Sequence, residues 1–339
     1  MRDIAARVGV HQTTVSLALR HHPSIPEHTR ERIVAAAKEI GYRPNPLLNA
    51  FNFHRVAGHP VKGAPVLAMV FDARMHPRST EHEYPRLLFQ AARDTARGRG
   101  YQLEPFVLQE NGLHSNRLNR VLVARGITGV IISTLGLETA QLELDWPRLC
   151  AVKIESLHVR PALDAVSSDQ WQAARTGLRR LRELGYRRVG LVAAADDEAR
   201  LGEPFRTGML VEQAAVPEGD RVPSLLFAGR AERDLARLID GWVRLHRIEA
   251  VMSNWNNVID QLRSKGWRVP DDIAVASLDA PSTQTELAGV VQNHELVGRR
   301  AVEQVLLQLQ AHQRGVPQTA SVTFVPGRWR DGASAPGRR

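Results

Sequence analysis

Gln12, Thr13 and Ser16 lie close together near the start of the chain, and each carries a side chain that both donates and accepts hydrogen bonds. In the stretch His11-Gln-Thr-Thr-Val-Ser-Leu-Ala-Leu-Arg20, Val15 and Leu19 are four residues apart with Ala18 beside them. On a helix these three share an apolar face, and the polar three look outward. Small hydrogen-bonding groups on one exposed strip of a short helix can read the edges of base pairs: Gln grips adenine through two hydrogen bonds, and Thr or Leu meets a thymine methyl.

Other chemistries find little support in the residue pattern. The chain has no Gly-x-Ser-x-Gly elbow, no Gly-x-x-x-x-Gly-Lys phosphate loop, no Gly-x-Gly-x-x-Gly and no His-Glu-x-x-His. Its 13 histidines are scattered without metal-ligand spacing, so the expectation for them is solvated or phosphate-facing side chains. The single cysteine, Cys150, sits in the strand-like Arg-Leu-Cys-Ala-Val-Lys-Ile and reads as an inert packed thiol. No cofactor and no metal is expected.

A reading strip needs elements that hold it. Asp3-Ile-Ala-Ala-Arg-Val8 is a short amphipathic helix, and Gly9 supplies the turn between the two helices. Two short helices joined in this way read as a helix-turn-helix, whose second helix enters the major groove. Pro26 then opens a third helix ending near Ile40-Gly41, with Ile33, Val34, Ala37 and Ile40 at helical spacing. The prolines of Gly41-Tyr-Arg-Pro-Asn-Pro46 stop it and force an extended exit.

The whole chain is compatible with this use. Its 339 residues allow two or three domains, 43% apolar residues can fill ordinary cores, and a formal charge of +9 favours a polyanionic partner. No run approaches the roughly 18 apolar residues of a membrane span, and the start lacks a signal-peptide core. The expectation is a cytoplasmic, nucleoid-associated protein without a membrane partner.

The series Asp3-Ile-Ala, Val8-Gly-Val, Thr14-Val-Ser-Leu-Ala-Leu, Thr29-Arg-Glu-Arg-Ile and Gly41-Tyr-Arg-Pro-Asn, spread over about 45 residues, resembles the headpiece of the LacI/GalR family of bacterial transcriptional regulators. The resemblance implies double-stranded operator DNA as partner. It puts base reading on Gln12, Thr13 and Leu17, and backbone contacts on Thr14, Ser16, Arg20 and Tyr42, although Thr14 and Ser16 equally suit local caps. Asn45-Pro-Leu-Leu-Asn-Ala-Phe-Asn-Phe-His-Arg55 resembles the hinge helix that enters the minor groove, where Asn45, Leu48 and Phe51 would act. Phe51 stands where the family wedges a leucine between base steps; it either serves as the wedge or packs on protein. The chain also departs from the family in its start at Met1-Arg-Asp, in His11 at a position usually held by a Ser N-cap, and in Pro26.

After a Gly/Pro linker, Ala57–Pro65, short apolar strands alternate with amphipathic helices in two series. The first includes Val66–Phe71, Gln102–Leu108, Gly129–Ser133 and Ala151–Ile154. The second is read as starting with Ala165-Val-Ser-Ser and continuing through Arg188–Ala193, Leu225–Phe227, Ala250–Ser253 and Ile273–Leu278. Parallel sheets covered on both faces follow from that alternation, with any ligand at the carboxyl ends of the strands. Ala124-Arg-Gly-Ile-Thr-Gly-Val-Ile-Ile-Ser, Leu184-Gly-Tyr-Arg-Arg-Val, Gly266–Asp279, Gly298-Arg-Arg-Ala-Val and Gly327-Arg-Trp-Arg-Asp-Gly332 extend the same resemblance.

The expected fold class is therefore an all-α helix-turn-helix headpiece plus an α/β periplasmic-binding-protein-like domain of two doubly wound lobes. The boundaries are 1–44 for the headpiece, 45–65 for hinge and linker, 66–330 for the effector and dimerisation domain, and 331–339 for a flexible tail. The resemblance implies a homodimer and a sugar-like small-molecule effector. It places Asp279 at a strand-end acidic position that bonds sugar hydroxyls, and Asn254 at a second contact. Trp255 would stack on a sugar ring or fill the cleft. Phe205 occupies a place where the family carries an effector-binding Arg, so Arg200 or Arg206 would substitute. Asp72 and Tyr84, after the first strand, complete the set. Two other classes stay open on sequence alone: an architectural DNA-binding protein without an effector, and an enzyme fused to a DNA-binding headpiece.

Overall fold

The computed structural model describes residues 2–19, 25–40, 64–75, 83–228 and 232–338. The chain divides into two compact units, Met1–Gly63 with Leu307–Gln313, and Ala64–Leu306 with Arg314–Arg339. In the first, α1 (Arg2–Val8), α2 (Gln12–Ala18) and α3 (Glu27–Glu39) enclose one small core of Ile4, Val8, Val15, Ala18, Ile33 and Ala37. Gly9 turns the chain between α1 and α2 at φ +73°, a conformation that costs a Cβ-free residue little. Arg32 reaches from α3 to the Val8 carbonyl at 3.1 Å, and Arg7 pairs with Glu39 at 2.9 Å. Arg20, Tyr42, Asn45, Leu48 and Phe51 lie outside the described residues.

The second unit holds two six-stranded sheets. In the first lobe β1 (Val66–Phe71), β2 (Gln102–Val107), β3 (Gly129–Ile132), β4 (Cys150–Ile154), β5 (Ala165–Ser168) and β11 (Val322–Val325) run in the order β11-β5-β4-β3-β1-β2, all parallel. In the second, β6 (Val189–Ala194), β7 (Leu225–Phe227), β8 (Ala250–Ser253), β9 (Ala274–Ser277), β10 (Gly289–Val291) and β12 (Arg328–Arg330) run β12-β10-β9-β8-β6-β7. Among the described residues of this sheet, the β10–β12 pair alone is antiparallel. Alternation along these strands feeds two cores: Leu191, Met252 and Ala276 face one side of the second sheet, while Val192, Val251 and Val275 face the other. Both faces are thereby covered, as parallel sheets require.

The helices follow from the amphipathic stretches between strands: α4 (Glu83–Gly98) and α5 (Ser115–Ala124) in the first lobe, and α6 (Gln170–Glu183), α7 (Ala195–Leu201), α8 (Pro204–Gln213), α9 (Glu232–His246) and α10 (Val258–Ser264) in the second. Helix α11 (His294–Ala311) comes so close to α4 that a Cβ on Gly298 would strike the Leu88 carbonyl. The lobes are joined where the chain crosses from β5 to β6, from β10 to β11 and from β11 to β12. Among the described residues, no helix is long and apolar enough to cross a membrane.

Two expectations need correction. Ala165-Val-Ser-Ser does not open the second series: as β5 it pairs with β4 and β11 and closes the first lobe's sheet. Nor are residues 332–338 a loose tail. Ser334 donates to the Val275 carbonyl at 2.7 Å and accepts from the Ala288 amide at 2.9 Å, Ala335 is buried, and the Arg338 amide bonds the Leu184 carbonyl at 2.8 Å. This segment satisfies backbone groups along the second sheet that would otherwise face solvent.

Candidate DNA interface and effector cleft

On α2 the helical period places Val15 and Ala18 in the headpiece core and leaves Gln12 and Thr13 exposed. Thr14, Ser16 and Leu17 are half-buried, and Leu17 packs against the edge of that core, so it offers bases only part of its side chain. His11 supplies the N-cap: its Nδ1 accepts from the Thr13 amide at 3.3 Å and shares a 2.9 Å hydrogen bond with the Thr13 hydroxyl. The histidine thus performs the role that sequence comparison reserved for a serine. Pro26, by contrast, caps α3 without a side-chain hydrogen bond.

In the second unit, functional residues gather where the strands of both sheets end. Asp72 follows β1, Thr134 follows β3, Glu155 follows β4, Asp197 and Arg200 lie on α7 after β6, Asn254 follows β8 and Asp279 follows β9. Strand order reverses around β1 and around β6, the switch points at which such sheets bind ligands. Side chains from the two lobes meet there. The Tyr84 hydroxyl shares a 2.6 Å hydrogen bond with the Thr134 hydroxyl, and its ring stands edge-on to His294 with centroids 4.6 Å apart. His294 Nε2 lies 2.8 Å from Asp279 Oδ1. Beside them, Glu83 at the start of α4 accepts from the Ser282 amide at 2.9 Å and from its hydroxyl at 2.6 Å, bonding first lobe to second.

The electrostatics follow from this convergence. Burial works against a charged His294, but Asp279, Glu155 and Glu83 outweigh it and raise its pKa. Burial and the neighbouring Glu155 hold the Tyr84 phenol well above its ordinary range, so it stays protonated. His158, which bonds the Gly136 carbonyl at 3.2 Å, is pushed down, chiefly by burial. Within the second lobe, Asp197 pairs with Arg200 at 3.4 Å and accepts from Asn254 at 3.4 Å. Two buried atoms here, Arg200 Nε and Asn254 Oδ1, have no hydrogen-bond partner.

Of the six expected effector residues, Tyr84 and Asp279 meet through His294, and Arg200 and Asn254 meet through Asp197. Asp72 is buried and accepts from the Gly136 amide at 3.3 Å. Trp255 turns instead towards the second lobe's core, its ring 5.3 Å from that of Phe227. Phe205 is buried in the opposite core. Glu198 explains the local geometry, since its buried carboxylate accepts from the amides of Phe205 and Arg206 and seats the first turn of α8. Sequence reasoning missed His294 and Glu155. His294 was read as one more solvated histidine, whereas it is buried against Asp279; the signal available was its place directly after a strand and at a helix start. Glu155 is 4% exposed and held at φ +53°, an unusual backbone for a residue with a Cβ, and no local motif announces it.

Residues 1–45 match the family described as bacterial regulatory proteins, lacI family, and residues 178–335 match the periplasmic binding protein-like domain. The chain thus joins a lacI-family DNA-binding domain to a periplasmic binding protein-like domain. Among curated relatives it is 23% identical over 335 residues to the HTH-type transcriptional repressor CytR of Escherichia coli, covering 93% of this chain and 91% of that one. It is 24% identical over 318 residues to the transcriptional regulator CelR of Thermobifida fusca, with 87% of each chain covered. Among solved structures, a CelR–cellobiose complex matches with a TM-score of 0.59 at 19% identity, and a Lac repressor dimer bound to operator and an anti-inducer with 0.58 at 18%; both cover 98% of either chain. With these two domains the protein is a DNA-binding transcriptional regulator.

Proposed function

We propose that this regulator acts as a homodimer that sets two α2 helices into successive major grooves of a near-palindromic operator, under the control of a hydroxylated small molecule bound between the lobes. Residues 1–44 form the reader, 45–65 the hinge and linker, and the remainder the effector and dimerisation domain. Gln12, Thr13 and the exposed part of Leu17 read bases. Thr14, Ser16, Arg20 and Tyr42 hold the backbone, and Asn45, Leu48 and Phe51 enter the minor groove between half-sites. The observation that carries the reading is the exposed Gln12–Thr13 strip on a helix pinned by Val15 and Ala18. Effector control is supported by the convergence of Tyr84, His294 and Asp279 from both lobes, beside buried polar atoms without partners. A ligand shifts the regulator only through its different affinities for two lobe arrangements.

Operator titrations by fluorescence anisotropy test the reader. Gln12→Ala is expected to cost about 1–3 kcal/mol on the cognate site and to relax preference at one base pair per half-site. Equal weakening on cognate and scrambled DNA would instead make Gln12 a backbone contact and reject this assignment.

A further inference from the structure

Resting on the reading of the two lobes as the moving parts of the regulator, we infer that His294 is a proton-operated clasp between them. Its protonated ring holds the first lobe to Asp279 of the second, and loss of the proton loosens that hold, so that pH sets the lobe arrangement alongside any effector. The inference comes from where the two partners are rooted and from the groups that surround the ring.

His294 opens α11, and α11 is packed into the first lobe, where Gly298 lies against the Leu88 carbonyl of α4. Asp279 follows β9 of the second sheet. The 2.8 Å contact between His294 Nε2 and Asp279 Oδ1 therefore ties one lobe to the other. On the first-lobe side Tyr84 of α4 stands edge-on to the ring at 4.6 Å, its own hydroxyl fixed on that of Thr134 at 2.6 Å. On the second-lobe side the segment after Asp279 is held by Arg330, which donates to the carbonyls of Pro281 at 3.0 Å, Gln284 at 2.6 Å and Leu287 at 3.1 Å. Each end of the clasp is anchored in its own lobe, so a rotation of one lobe on the other acts on the bond between them.

The charged and titrating groups facing the ring come from several elements. Asp279 after β9, Glu155 after β4 and Glu83 at the start of α4 act on it, and Glu295 is its neighbour on α11. Arg200 of α7 is paired with Asp197 and acts on Tyr84. Tyr84 stays protonated, and His158 is pushed down by burial, so neither gains charge as pH falls towards neutral. His294 differs. Burial opposes its charge, Asp279 and the two glutamates outweigh burial, and with the lobes joined its pKa lies above the ordinary 6.5. A proton held more tightly in the joined arrangement favours that arrangement fully below 6.5, and the contribution is lost as pH rises through the raised value. Neutral His294 still donates from Nε2, so the clasp is loosened rather than broken. What goes is the attraction between opposite charges, which is strong because the His294 side chain is only 10% exposed.

The test uses the full chain with Cys150 replaced by Ala and one nitroxide label on each lobe, at the exposed positions Arg120→Cys on α5 and Arg237→Cys on α9. Labelled chain is diluted into unlabelled chain, so that each measured pair lies within one chain. Pulsed electron resonance reads the interlobe distance, without effector, from about pH 6 to about pH 9. The expected result is that the ratio of joined to separated lobes falls about fivefold or more over that range. His294→Gln, which keeps a donor but does not titrate, is expected to give a flat profile while still melting cooperatively, and Asp279→Asn to lose most of the response. Glu155→Gln is expected to move the midpoint to lower pH. A flat wild-type profile, or a response that persists in His294→Gln or undiminished in Asp279→Asn, overturns the inference. Operator titration over the same range separates this claim from the reading it rests on: a distance that titrates while operator affinity does not leaves the clasp standing and contradicts control of DNA binding by the lobes.

Discussion

Lys153 shows at the scale of one residue how position sets chemistry. It occupies β4 in a fully buried run, Cys150-Ala-Val-Lys-Ile154, where burial and the nearby Arg160 push its pKa from 10.5 to about 8. The folded protein therefore releases this proton more readily than the unfolded chain does, so the cost of holding the ammonium is fully present below about pH 8 and is relieved as pH rises towards 10.5. The melting temperature of the wild type minus that of Lys153→Met is expected to increase across that window. A flat or falling difference would show that the amine is not held charged against burial at neutral pH. Cys150 next to it behaves as the sequence implied: burial pushes the thiol up to about 11, which leaves little thiolate at neutral pH. No pattern in the chain distinguishes Lys153 from a solvated lysine, because what matters is the loop of residues 156–161 folded over its end.

At the scale of elements, α2 depends on its cap. A helix of seven residues gains little from propensity, so the bond from the Thr13 amide to His11 Nδ1 fixes where it starts and how Thr13 is presented. Replacing His11 by Ala is expected to cost about 1 kcal/mol, read as faster hydrogen exchange of the α2 amides and weaker operator binding, with His11→Ser restoring both. Unchanged exchange in His11→Ala would place the start of the helix under other control. The three headpiece helices and most strands were legible in sequence because each is a run of apolar residues at a fixed period. The lobe to which Ala165–Ser168 belongs was not. A short run of small residues carries no mark of its ladder partner, and only pairing with β4 and β11 assigns it. The packing of residues 332–338 was hidden for a similar reason, since Ser334 and Ala335 look like linker until their partners Val275, Ala288 and Glu286 are known.

At the scale of the whole molecule, two functions sit on one chain in separate units, and sequence disclosed them unequally. The reading strip lies within twenty consecutive residues and is visible at once. The proposed effector site draws on residues 72 to 294, and the crossing of the chain between lobes brings His294 beside Tyr84 of the first lobe and Asp279 of the second. Glu83 and Ser282 bond across the same divide, so the relation of the lobes is set by specific polar contacts that a ligand can compete with or reinforce. Control of DNA reading by this cleft is the central claim. Genome-wide footprinting with the full chain, in the presence and absence of a small-molecule extract of the cells that make it, tests it most directly. The account predicts discrete, near-palindromic sites with half-sites about one helical turn apart, whose occupancy changes when the extract is added. Continuous coverage without preferred sites, or discrete sites indifferent to the extract, would contradict it.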